Sequence, residues 1–133
     1  RYQRLSNAPD IIVDVAHNPH AVAALAKNLQ QSPGAGRTLA VVAMLEDKSI
    51  AEALAIIDEY IDHYYLAGLE GNRALSVEAL KQRVQESVSS DKLCADQTVE
   101  QAIKHAIGEA TKDDRVVIFG SFLTVSAAIK QLQ

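Results

Sequence analysis

Five short apolar runs, each followed by an amphipathic stretch, constrain this 133-residue chain more than any other feature of its sequence. The runs are Ile11–Val15, Thr38–Ala43, His63–Ala67, Lys92–Ala95 and Arg115–Phe119. Strands without polar alternation need cover on both faces, and parallel neighbours need crossover connections, which amphipathic helices supply. The predicted fold is therefore α/β, a Rossmann-like three-layer sandwich around a mostly parallel sheet. Tyr2, Arg4 and Leu5 suit a short additional strand, and the turn formers Ser6-Asn-Ala-Pro9 fold it back as an antiparallel edge at the N-terminus. No linker or low-complexity segment interrupts residues 1–133, which read as a single domain.

Helix starts and stops follow the same rhythm. Asn18-Pro19 opens a helix that turns Ala21, Val22, Leu25 and Leu29 inward, and Ser32-Pro-Gly-Ala-Gly36 ends it. Ser49 with Glu52 has the spacing of a capping box for a helix reaching about Tyr60. Ser76 caps a helix with an apolar stripe at Val77, Leu80, Val84 and Val88, and Thr98 with Gln101 forms a second capping pair. The last helix, after Gly120-Ser121, buries Val125, Ala128, Ile129 and Leu132.

Composition narrows the function. With a net charge of −4 and dispersed Lys and Arg, no surface is built to neutralise phosphates along a nucleic acid. No apolar run approaches the ~20 residues of a spanning helix, and no signal segment opens the chain, so a cytoplasmic protein away from membranes is expected. The single Cys94 excludes an intrachain disulfide and a Cys-rich zinc site, and reads as a small buried hydrophobe. The opening Arg1-Tyr-Gln-Arg has no initiator Met and reads as the start of a fragment.

Polar residues gather where the strands end. Asp14, His17 and Asn18 follow the first buried strand, at the sheet edge where open α/β folds bind ligands and helix N-termini attract anions. Asp14 suits either a cap on the neighbouring turn or a ribose contact, and His17 offers a flat face and a ring N–H. His17 and His20, three apart across Pro19, lack a third metal ligand, and no metal site is expected in this domain. Asp47-Lys48 is either a solvated charge pair or a second cluster on the same edge, and Gly120-Ser121 is a candidate anion cradle. Gly34-Ala-Gly36 precedes a strand instead of following one, so it is not a phosphate loop.

The segment Asp14-Val-Ala-His-Asn-Pro-His-Ala21 resembles the Asp-x-Ala-His-Asn-Pro-x-Ala signature of the carboxy-terminal domain of folylpolyglutamate synthase/dihydrofolate synthase, a branch of the Mur ligase superfamily. Arg1-Tyr2, the Met44-to-Lys48 loop and Phe119-Gly-Ser-Phe-Leu-Thr-Val125 agree with that family in order and spacing. The resemblance implies an ATP-dependent ligase that adds L-glutamate to dihydropteroate or a folate through an acyl phosphate. It also implies that this domain closes over ATP and helps bind glutamate. A separate amino-terminal ATPase domain would carry the phosphate loop, most of the Mg2+ ligation and the pterin site. On this resemblance Arg1, Asp14 and His17 bind ATP, and His17, the candidate catalytic residue, also contacts glutamate together with Ser121. Asn18, Asp47 and Lys48 line the interdomain cleft. The fragment alone is expected to be inactive and the full-length enzyme monomeric.

Two alternatives stand beside this reading. One is the equivalent domain of a muramyl-peptide ligase, with the same chemistry and another acceptor. The other is a stand-alone, non-enzymatic Rossmann-like binding module, but a receiver-type module needs a phosphorylatable Asp after its third strand, where Leu66-Ala-Gly68 stands.

Overall fold

The computed structural model describes residues 2–133 and contains six strands and five α-helices. In chain order these are β1 (Gln3–Ser6), β2 (Asp10–Asp14), α1 (Pro19–Gln31), β3 (Thr38–Val42), α2 (Ile50–Ile57), β4 (His63–Leu66), α3 (Val77–Val84), β5 (Leu93–Ala95), α4 (Val99–Glu109), β6 (Arg115–Phe119) and α5 (Phe122–Leu132). Short 3-10 turns at Asp58–Tyr60 and Ser90–Lys92 extend α2 and precede β5. The sheet order is β1-β2-β6-β3-β4-β5, with β1 antiparallel to β2 and every other pair parallel. The three-layer sandwich and the antiparallel N-terminal edge agree with the sequence.

Successive strand residues face opposite sides, so each inner strand feeds two cores. Val117 and Phe119 of β6, with Ala40, Val42, Tyr64 and Leu66, pack beneath α1, α2 and α3. Val116 and Ile118, with Leu39, Val41 and Tyr65, pack beneath α4 and α5. β6 is buried along its whole length. The register brings the strand ends level: Asp14 pairs with Phe119, Phe119 with Val42, Val42 with Leu66, and Leu66 with Ala95. All five following loops leave from one edge. Next to β6 the connections after β2 and β3 go to one face while α5 goes to the other, which opens the crevice typical of a topological switch point.

The opposite edge is tied by charge. Arg115, at the start of β6, is buried; its guanidinium donates to Thr38 Oγ1 at 2.7 Å, to the Leu29 carbonyl at 3.1 Å and to the Ser32 carbonyl. The last carbonyls of α1 thereby gain partners that no intrahelical N–H provides. Burial lowers the Arg115 pKa. Asp114 accepts from the Thr111 amide at 2.8 Å, the Arg37 amide at 2.7 Å and the Arg37 guanidinium at 2.9 Å. A side chain at Gly36 would collide with the Asp114 carboxylate and the Asp113 carbonyl.

Local chemistry departs from expectation at one cap. Ser49 stands at the start of α2 but makes no side-chain cap; Asp47 instead accepts from the Ser49 amide at 2.8 Å. The carboxylate two residues earlier in the loop thus takes the part of the box assigned to Glu52, accepting from the N-cap amide. The Thr98–Gln101 capping box forms as expected, and Asn18 and Ser76 both cap their helices.

Burial alone would raise the Asp114 pKa, but its hydrogen bonds from Thr111 and Arg37 overcome that and hold it at about 2. A carboxylate depressed on folding stabilises fully above its unfolded value, and that contribution is lost as pH falls through the folded one. Urea titrations should therefore show stability falling between about pH 4 and about pH 2, with the unfolded Asp setting the upper bound. Asp114→Asn should be less stable at pH 7 and show a shallower fall across that window.

Candidate functional site

The site grows from the loops after β2, β3 and β6. Asp14, the last residue of β2, is 8% exposed, and its Oδ1 accepts from the Ala16 amide at 2.9 Å. This bond bends the chain out of the sheet and presents His17. His17 is exposed, and its Nδ1 lies 3.0 Å from the Val15 carbonyl. A carbonyl only accepts, so Nδ1 carries the hydrogen, which in the neutral ring leaves Nε2 as an acceptor. Asn18 Oδ1 accepts from the Ala21 amide at 2.8 Å and caps α1. Its role is to fix the helix start.

Gly120 connects β6 to α5 at φ +131°, a conformation that favours glycine. A Cβ there would meet the Ala43 carbonyl, so the glycine lets the ends of β6 and β3 lie against each other. Thr124 Oγ1 donates to that same carbonyl at 2.7 Å, which uses its only hydrogen. The 2.8 Å contact between Ser121 Oγ and Thr124 Oγ1 therefore has Ser121 as donor. Ser121 Oγ also accepts from the Thr124 amide at 3.1 Å. The Ser121 hydroxyl proton thus points into the protein, and the donors left at the start of α5 are the first-turn amides of Phe122 and Leu123.

Two cavities of about 300 Å3 meet at His17. One is bounded by Tyr2, Asp14, Ala16, Ala21 and Asn28. The other is bounded by Leu45, Asp47, Arg73, Gly120, Ser121 and Phe122. His17 lines both. Asp14, His17, Asp47 and Ser121 are brought together as the sequence predicts, whereas Asn18 and the exposed Lys48 line neither cavity. Arg1 lies outside the described residues. A larger hollow of about 490 Å3 farther along the edge is lined by Glu70, Glu78 and Glu100, a poor setting for phosphates.

Arg73 is the cavity residue that sequence reasoning missed. It has φ +62°, donates to the Glu46 carbonyl at 3.0 Å, and its carbonyl accepts from the Glu46 amide at 2.7 Å. Together with a bridge between Leu45 and Ala74, these bonds fold the β4–α3 loop over the β3–α2 loop. Its only signal in the sequence was its place in a loop on the ligand edge.

The match to the family described as Mur ligase, glutamate ligase domain, runs over residues 1–122. The chain belongs to this family of glutamate ligase domains. Among its relatives, the dihydrofolate synthase/folylpolyglutamate synthase of Escherichia coli is 40% identical over 126 residues, covering 95% of this chain and 28% of that protein. A solved structure of E. coli FolC with ADP superposes with a TM-score of 0.88 at 38% identity, covering 98% of this chain and 30% of that one. The bifunctional Yersinia pestis enzyme complexed with AMPPNP and a Mn ion gives 0.88 at 39% identity, covering 99% and 30%. This glutamate ligase domain spans less than a third of the length of each relative.

The Gly120 contact gives a direct test of how the domain assembles its edge. Gly120→Ala should cost at least about 2 kcal/mol, because a strained φ and a backbone collision act together, and a fall in the urea midpoint would show it.

Proposed function

We propose that this chain is the carboxy-terminal domain of a longer ATP-dependent ligase, one that joins L-glutamate to dihydropteroate or a folate through an acyl phosphate. The observation that carries this reading is His17 lining two adjoining cavities of different character. The cavity beside Tyr2 and Asp14 suits a nucleoside, with an aromatic ring and a carboxylate for ribose hydroxyls. The cavity beside Arg73 and the start of α5 suits the carboxylates of glutamate, through a guanidinium and two helix-terminal amides. Relatives with ADP and the folate precursor DHPP, and with AMPPNP, Mn and L-glutamate, support the same ligand set.

In this reading His17, held by Val15, orients the incoming amine through Nε2 between nucleotide and glutamate. An acyl phosphate is lost to water unless its nucleophile is already in place, so positioning and water exclusion are the domain's contribution. In the same reading Arg1 is assigned to ATP binding, and Asp47 and Lys48 to the cleft shared with the amino-terminal ATPase domain. Asn18 supports the site by capping α1. Ser121 acts by presenting the α5 amides, since its own hydroxyl is turned inward. The Mg2+ that accompanies ATP is held mainly by the amino-terminal domain. Phe122 and Leu123, 73% and 50% exposed at the cleft rim, suit cover by that domain when the cleft closes. A full-length monomer in the cytoplasm accords with this account; no described helix is long and apolar enough to cross a membrane.

The test is turnover by the full-length protein with ATP, L-glutamate and dihydropteroate. His17→Ala should lower kcat about 100-fold with the thermal midpoint unchanged, as expected for a lost orienting group. Unchanged turnover would remove His17 from the site, and activity with a muramyl peptide in place of the pteroate would reassign the acceptor. Calorimetry on the 133-residue chain alone should find only weak ATP binding, because half of the site is elsewhere.

A further inference from the structure

At the far edge of the sheet, three strands from β6, a cluster of side chains plays no part in the cleft. Cys94 lies in β5, Asp96 follows it, and His105 is on α4, which packs over that face. One donor atom from each of Cys94, Asp96 and His105 lies within 4.8 Å of the other two, and among the described residues no other such group of three occurs. His105 Nδ1 stands 3.2 Å from Asp96 Oδ2 and 3.8 Å from Cys94 Sγ.

Two of these separations, from His105 Nδ1 to Asp96 Oδ2 and to Cys94 Sγ, are close to those of a coordination shell. Zinc bonds of roughly 2.3 Å to sulfur and 2.0–2.1 Å to nitrogen or oxygen, at tetrahedral angles, put S···N near about 3.6 Å and N···O near about 3.3 Å. The other side of the imidazole is arranged to match. His105 Nε2 lies 3.4 Å from Glu109 Oε2, and Glu109 Oε1 accepts from the Tyr65 hydroxyl at 2.5 Å. A carboxylate on the far ring nitrogen is the usual partner of a metal-bound histidine: it takes the Nε2 proton and leaves the Nδ1 lone pair for the ion. His105 is 39% exposed, so an ion has a path in and water can fill a fourth position.

We propose that Cys94, Asp96 and His105 form a binding site for a thiophilic divalent cation of the Zn2+ class, with Glu109 as the positioning residue for His105. One thiolate, one carboxylate and a neutral imidazole are the ligand types Zn2+ prefers. The ion would cross-link the edge strand β5 to α4, away from the proposed ATP and glutamate cleft.

Protons compete with the ion. Burial pushes the Cys94 thiol up to about 11, and Asp96, then Glu109, holds His105 above its ordinary value. The other groups facing the cluster are Tyr65 and His63 of β4 and, beyond Glu109, Arg37, whose guanidinium donates to the Glu109 carbonyl. Binding therefore releases the thiol proton and any second proton on His105, and affinity should rise with pH.

The experiment is titration of the metal-free 133-residue chain with Co2+, read by thiolate-to-metal charge-transfer absorption, followed by displacement with Zn2+. The expected result is a band saturating at one equivalent, absent in Cys94→Ser and His105→Gln and requiring about tenfold more Co2+ in Glu109→Gln. Circular dichroism checks that each variant is folded, and either ligand variant suffices if the other is not. No band in the parent chain overturns the proposal, as does Co2+ binding that persists unchanged in both ligand variants. Binding without a thiolate band overturns it too, since His17 and His20 could then be responsible.

Discussion

The insertion of β6 between β2 and β3 is the constraint on which the cleft depends. Parallel register aligns Phe119 with both Asp14 and Val42, so the loops after three strands start at one level. Gly120 then removes the side chain that would hold β6 away from Ala43, and Thr124 closes the gap with a hydrogen bond to the same carbonyl. Were β6 displaced by one residue, its core-facing pairs would exchange faces and Ser121 would leave the level of His17.

Much of this was legible because it is written in local chemistry. Ile11–Val13 and Val116–Phe119 are apolar without interruption, which only a strand covered on both faces accommodates. Asn18-Pro19 and Thr98-x-x-Gln101 specify helix starts within four residues of chain, and both formed. The signature from Asp14 to Ala21 carried the family through its particular order of residues, while Asp14 and Asn18 also serve the local turn and helix start.

What escaped depends on contacts between distant segments. Arg73 enters the cleft because two loops 27 residues apart hydrogen-bond to each other, and no periodicity reports that. Asp47 took the place of Glu52 as acceptor for the Ser49 amide by reaching it from the preceding loop. Ser121 was read by residue type, and only the inward path from Ser121 through Thr124 to Ala43 shows where its proton goes. Cys94, read as a small hydrophobe, and His105, which no motif singled out, became neighbours only when α4 packed beside β5.

Helix α1 is secured at both ends by different chemistry. Asn18 caps its start beside the cleft, and the Arg115 guanidinium, rooted in the central strand, holds the carbonyls of Leu29 and Ser32 at its finish. The cap closes the helix on itself, while the Arg115 bonds moor its finish to the sheet. Its buried Val22 and Leu25 pack the leading turns against the same sheet, so the backbone at His17, just ahead of them, travels with it. Alignment at this edge is a property of the body itself, as in a tool whose cutting face is ground into the shank.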